Sequence, residues 1–136
     1  PEVAALMGIC QLHSIENFIN KRHKIALAYD SILQNFGEIE IIRSPSESRF
    51  NFFKYTVILK NINRELVHKS LEKKGIQLSG YVYELPLHKQ PVFSDYNKNV
   101  FSMTEYVCSK HICLPIYPSL QIEEAEYIAN SLIELF

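Results

Sequence analysis

Over residues 3–36 apolar side chains recur at helical spacing, at Leu6, Ile9, Leu12, Ile15, Phe18, Ile19, Ala26, Tyr29, Ile32 and Leu33, and no proline interrupts them. A helix over this stretch is about 50 Å long. That is more than a domain of 136 residues covers with its own mass. The first turns, with Val3, Ala4, Ala5, Leu6, Met7 and Ile9, are apolar nearly all round, a pattern that calls for burial on several sides. The spacing predicts one long helix, or two in series, closed by a left-handed stop at Gly37. Its N-terminal end is built to pack against a surface outside this chain. The opening Pro1-Glu2, running straight into helix without a methionine, reads as the interior of a longer protein.

After Gly37 the period changes. Residues 38–43 alternate briefly, residues 44–48 (SPSES) form a polar turn, and residues 50–60 (FNFFKYTVILK) read as a central strand rich in aromatic and β-branched side chains. Asn63 is placed to cap a helix through Leu66, Val67 and Leu71 that ends with lysines and Gly75. Residues 76–83 read as a further strand. Ser102-x-x-Glu105 has the form of a capping box opening a short helix. Residues 112–116 form a short apolar strand, and residues 122–136 a terminal amphipathic helix. Few strands interleaved with helices predict an α+β fold: a small, mainly antiparallel sheet packed with helices and preceded by the long N-terminal helix. The chain divides into that helix, residues 1–36, and an α+β sandwich, residues 37–136, within one domain.

Charge narrows the function. With 14 basic and 15 acidic side chains the chain lacks the electrostatic footprint of a nucleic-acid binder, and Phe52, Phe53 and Tyr55 have no basic surface around them for base stacking. No apolar run reaches the roughly 20 residues of a membrane span. Three cysteines in apolar surroundings predict reduced thiols and a cytoplasmic location.

The chemistry-bearing residues gather in two segments. Residues 75–93, GIQLSGYVYELPLHKQPVF, and residues 111–120, HICLPIYPSL, combine prolines with tyrosines, a histidine and a glutamine, the vocabulary of a rigid binding edge. Cys108-x-x-His111-x-Cys113 offers three zinc-type ligands but no second knuckle, so buried small side chains are the better account and no metal is expected. Neither a nucleophile elbow nor a glycine-rich phosphate loop is present. Lys89 is the one lysine in the proline-rich loop, and a Schiff-base role would require an amine of depressed pKa. His88, between Pro86 and Pro91 with Gln90 beside it, either ties the loop down or faces a ligand.

In order along the chain, EVAALMGICQL from Glu2, RHKIALAYD from Arg22, KGIQLSG from Lys74, PLHKQPVF from Pro86 and HICLPIYPSL from His111, followed by Glu123 and Glu124, resemble the motifs of the DegT/DnrJ/StrS family of pyridoxal-phosphate-dependent sugar aminotransferases. The resemblance covers the whole chain in register. It implies the C-terminal small domain of the aspartate-aminotransferase fold, and an activity that moves an amino group, usually from glutamate, to a nucleotide-linked keto sugar. It also implies a homodimer with a missing N-terminal large domain. That domain carries the Schiff-base lysine, the aspartate for the pyridine nitrogen and most of the phosphate cradle, so no catalytic or cofactor-binding residue falls in this chain.

By the same resemblance His88 and Gln90 line the mouth of the substrate site, with Tyr83 and Tyr117 as weaker candidates. One position departs: many relatives read S-G-E-V-Y where this chain has Ser79-Gly80-Tyr81-Val82-Tyr83, which bears on what is recognised. The rival reading is a self-standing domain that binds a ligand or a protein partner without catalysis.

Overall fold

The computed structural model describes residues 1–43, 45 and 47–136. The polar turn expected at residues 44–48 includes Ser44 and Ser46, which lie outside the described residues.

Helix α1 runs Glu2–Leu33 as a single element. Only its second half is buried, at Ile25, Ala26, Tyr29 and Leu33, a one-face spacing that packs on α4 (Ile122–Ile133). Residues 1–13 are exposed without exception, so the helix projects from the body as its all-round apolarity predicts. The expected left-handed stop is not used. Gln34 closes the helix in an ordinary right-handed conformation (φ −60°, ψ −26°), and Gly75 and Gly80 are the glycines of positive φ among the described residues. Gly37 follows in the turn that leads to the sheet.

Three antiparallel strands lie in the order β1 (Ile39–Ile41), β2 (Tyr55–Leu59), β3 (His111–Leu114), with Ile39 opposite Leu59, and Tyr55 opposite Leu114. Alternation sorts their two faces. Tyr55, Val57, Leu59, Ile112 and Leu114 join the main core with α1, α4 and α2 (Arg64–Lys73). Thr56 and Cys113 point the other way as a cross-strand pair, with Oγ1 to Sγ at 3.6 Å. α3 (Ser102–Lys110) packs on β2.

The central strand is shorter than residues 50–60. Side chains of α1 draw the first part away: Arg22 Nε donates to the Asn51 carbonyl at 2.9 Å and His23 Nε2 lies 2.6 Å from the Phe50 carbonyl. Asn51 Oδ1 takes the Phe53 N–H at 2.9 Å, and Phe52 sits at φ 47°, a left-handed conformation no strand contains. The ring of Phe52 is held edge-on to His23 and Phe50.

At α2, Asn63 Oδ1 accepts from Glu65 N at 2.7 Å, the expected cap. At the other end Gly75 (φ 77°) and the 2.9 Å bond from Ile76 N to the Leu71 carbonyl form a Schellman stop. Residues 76–83, expected as a strand, do not enter the sheet. Ser79 N donates to the Cys113 carbonyl at 3.0 Å, and Gly80 (φ 71°) then turns the chain before a ladder can form. The segment lies extended beside β3 and buries Ile76 and Leu78.

Candidate functional site

Pro86 and Pro91 start two short 3-10 turns, Leu87–Lys89 and Pro91–Tyr96, the second kinked at Phe93. These turns close on themselves through Lys89 N to the Pro86 carbonyl (2.9 Å) and Phe93 N to the Gln90 carbonyl (2.9 Å). The first turn drives His88 inward, to 7% exposure. Its Nε2 lies 2.9 Å from Glu105 Oε1, and its ring meets the Phe101 ring edge-on at 4.8 Å. The same Glu105 oxygen accepts the Phe101 N–H at 3.5 Å and has Lys89 Nζ at 3.8 Å. The His88 hydrogen bond above all, with the Phe101 amide and the Lys89 charge, holds the Glu105 carboxyl below the usual range.

Glu105 was expected to close a capping box with Ser102. Instead the helix starts one residue earlier than the box requires: Phe101, which has no polar side chain, is the N-cap of α3, Ser102 is its first helical residue, and the Glu105 carboxylate reaches His88 and the Phe101 amide. Leu87, His88, Phe93, Tyr96 and Phe101 line a pocket of about 230 Å³, largely aromatic. Gln90 is half-buried on the same loop, between the two turns. Lys89 donates to the Asn97 carbonyl at 2.9 Å, which binds the far end of the loop to its start.

Tyr83 lies elsewhere, exposed on the rim of an apolar cleft of about 270 Å³ with Ile42, Phe50, Thr56, Cys108 and His111. His111 is buried there with both nitrogens engaged: Nδ1 is 2.8 Å from the Val107 carbonyl and Nε2 accepts the Val82 N–H at 3.0 Å. The second bond requires a lone pair on Nε2, so the proton sits on Nδ1 and the ring is neutral. Burial pushes the imidazole pKa down in agreement. Among the described residues no cluster of three metal-type ligands forms, and His111 has no nitrogen left to offer one.

Tyr117 lines a third pocket, of about 430 Å³, with Gly75, Gln77, Pro115, Glu124 and Tyr127. The structure therefore keeps His88 and Gln90 on one loop, with His88 lining its pocket, and leaves Tyr83 and Tyr117 on two other pockets. Tyr81, the departing position, packs under the Arg64 guanidinium at 4.1 Å and donates to Glu65 Oε1 at 2.9 Å. Arg64 also hydrogen-bonds the Cys108 carbonyl, joining α2 to α3. Sequence reasoning missed Glu105, Phe101 and Arg64 as neighbours of the candidate residues. The charge of Glu105, 17 residues from His88, was the one available signal.

A family model described as the DegT/DnrJ/EryC1/StrS aminotransferase family matches residues 1–133. Among curated relatives, a pleiotropic regulatory protein of Geobacillus stearothermophilus is 26% identical over 98% of this chain and 36% of its own length. A dTDP-4-dehydro-2,3,6-trideoxy-D-glucose 4-aminotransferase of Saccharopolyspora spinosa is 30% identical over 95% of this chain and 33% of its own. The solved aminotransferase TlmJ from Streptoalloteichus hindustanus superposes with a TM-score of 0.84 at 23% identity, over 97% of this chain and 35% of that one. The chain spans about a third of the length of the curated relatives it matches. With motifs, fold and family model in register through residue 133, the chain belongs to the DegT/DnrJ/EryC1/StrS aminotransferase family.

Proposed function

We propose that this chain is the C-terminal small domain of a pyridoxal-phosphate-dependent sugar aminotransferase. In this reading residues 1–36 are the interdomain helix and residues 37–136 the α+β sandwich. The assembled cytoplasmic enzyme transfers an amino group from glutamate to a nucleotide-linked keto sugar. The observation that carries the reading is a double one: the family match runs through the chain while covering a third of its relatives, and the first turns of α1 present Val3, Leu6, Met7, Ile9 and Leu12 to solvent. A large domain covers those turns, and two such chains form a homodimer.

Pyridoxal phosphate needs a lysine amine for its aldehyde and a cradle of free donors for its phosphate. Several lysines and helix starts around the sheet are already engaged. Lys54 donates to the Ser79 carbonyl at 2.6 Å, Lys74 pairs with Glu134 at 2.6 Å, and Lys89 is held by Asn97 and Glu105. The first amides of α2 are taken by Asn63, and the Gln121 N–H at the start of α4 is taken by Glu124 Oε2 at 2.8 Å. In this reading the cofactor belongs to the large domain, and this chain alone is inactive. Its share is to present the loop with His88 and Gln90, and more remotely Tyr83 and Tyr117, to the nucleotide sugar.

The test is amination of nucleotide-linked keto sugars by the chain carried with its large domain, read as glutamate-dependent release of 2-oxoglutarate. Turnover that vanishes when residues 1–136 are removed is expected. Absence of turnover with cofactor bound would favour the self-standing domain, for which the description of one relative as a regulatory protein speaks. Borohydride reduction of this chain mixed with pyridoxal phosphate should label no single lysine stoichiometrically. Specific labelling of Lys89 would overturn the division of labour.

A further inference from the structure

The His88 imidazole is asymmetric in a way that a loop tie alone does not require. Its Nε2 faces Glu105 Oε1 at 2.9 Å. A carboxylate held below its usual range is ionised at neutral pH and only accepts, so Nε2 carries the proton. The neutral ring then has its lone pair on Nδ1. No buried side-chain nitrogen or oxygen among the described residues lacks a partner, and Nδ1 has no hydrogen bond there, so Nδ1 reaches solvent although the ring is 7% exposed. The charged groups around the pair are Lys89 from the loop, 3.8 Å from the same oxygen, and Glu105 itself from α3. Phe101 adds an amide to that oxygen and a ring edge against the imidazole.

We infer that Glu105 is a positioning residue that fixes His88 as the Nε2–H tautomer and so presents Nδ1 as a hydrogen-bond acceptor for a hydroxyl of the nucleotide-sugar substrate. The ligand half of this inference rests on the proposed function; the tautomer half does not. A second group holding one imidazole nitrogen is the general means by which the state of the other is set. A plain tie would be served equally by a glutamine or asparagine in place of His88. Burying the ring against Phe101, with Glu105 anchored by the Phe101 amide and Lys89, fixes the direction of Nδ1 as well as its protonation.

The experiment is nitrogen-15 NMR of the histidine rings in the chain of residues 1–136. At a pH above imidazole titration, His88 is expected to show a pyrrole-type Nε2 and a pyridine-type Nδ1. A pyrrole-type Nδ1 in the unmodified protein overturns the inference without any variant. Glu105→Gln and Glu105→Ala should each move the ring toward a mixture of tautomers while the His111 signals, set by Val82 and Val107, stay put. A tautomer unchanged in both variants overturns the role of Glu105. Titration with a nucleotide sugar should shift Nδ1 and leave Nε2 nearly still; a saturating ligand that leaves Nδ1 unmoved removes the substrate assignment. In the assembled enzyme, amino transfer that persists while the tautomer result fails sinks this inference and leaves the proposed function standing.

Discussion

Tyr29 makes the longest-range side-chain hydrogen bond among the described residues, and removing its hydroxyl tests the architecture directly. Its side chain is fully buried on α1, and its hydroxyl donates to the Pro115 carbonyl just beyond β3 at 2.7 Å, across 86 residues of sequence. Tyr29→Phe keeps the ring in place against Tyr55, 4.8 Å away, so packing is conserved and one O–H is lost. The Pro115 carbonyl makes no other bond among the described residues and is left buried and unpaired. Orphaning a buried acceptor costs roughly 1–3 kcal/mol, against about 1 kcal/mol for the net value of an average hydrogen bond. The expected loss is therefore about 2 kcal/mol, or a fall in Tm of about 8 °C for a domain of this size. Urea unfolding should show a lower midpoint with an unchanged m value. A loss under about 0.5 kcal/mol would place the residue with ordinary surface positions and refute the reasoning.

The same hydroxyl predicts the alkaline limb. Burial, with a smaller contribution from Tyr117, pushes the Tyr29 pKa above its ordinary value of 10.0, and burial followed by the Asp30 hydrogen bond does the same for Tyr55. Above pH 10 the unfolded chain has lost these protons and the folded chain has not, so the folded state binds more protons and stability falls as pH rises. Each tyrosine contributes a slope of up to about 1.4 kcal/mol per pH unit until its folded pKa is passed. Tyr29→Phe should be less stable at neutral pH and flatter above pH 10. A parallel descent in both proteins would contradict the assignment.

Three further outcomes are expected. His111→Phe strands the Val82 N–H and the Val107 carbonyl and should cost about 2–4 kcal/mol in chemical denaturation; an unchanged midpoint would show that neither bond matters. Because burial depresses the His111 pKa, its contribution is fully present above about 6.5 and is lost as pH falls through the depressed folded value, a dependence absent from the variant. Gly75→Ala meets no atom within 4 Å, so its cost is purely the left-handed φ of 77°, about 1 kcal/mol by thermal melting, and a neutral result would argue against the Schellman stop. Deleting residues 2–12, all exposed, should leave stability within about 0.5 kcal/mol; a larger loss would mean that the projecting turns of α1 support the body.

What was legible from sequence followed the range of the interactions. The long helix, the Asn63 cap and the Gly75 stop depend on side chains within a few residues of one another, and each is seen. The errors lie where a distant partner claims a group that local rules assign to a neighbour. Residues 50–53 carry strand-forming side chains, yet Arg22 and His23, nearly thirty residues earlier, hold the carbonyls of Asn51 and Phe50. Residues 76–83 alternate like a strand, and Gly80 turns them out of the ladder after one backbone-to-backbone bond to β3. Glu105 has capping-box spacing from Ser102 but goes to His88 and the Phe101 amide, while the full capping box forms between Gln121 and Glu124.

The candidate site divides on the same principle. The proline frame around residues 86–91 made a rigid loop predictable, because fixed φ is a local property. Whether His88 points outward or inward was not, since that depends on a carboxylate from another helix. Tyr83 and Tyr117 shared the vocabulary of that loop without sharing its location, and the fold sends each to a different pocket. Tyr81 illustrates the converse. A carboxylate replaced by tyrosine suggested altered recognition, yet here the ring lies under Arg64 and its hydroxyl on Glu65, so its immediate consequence is to fasten the 76–83 segment to α2. Tyr81 also meets the His111 ring edge-on at 5.7 Å, and the next residue, Val82, supplies the amide that fixes the tautomer of that histidine, so the position bears on the apolar cleft through His111.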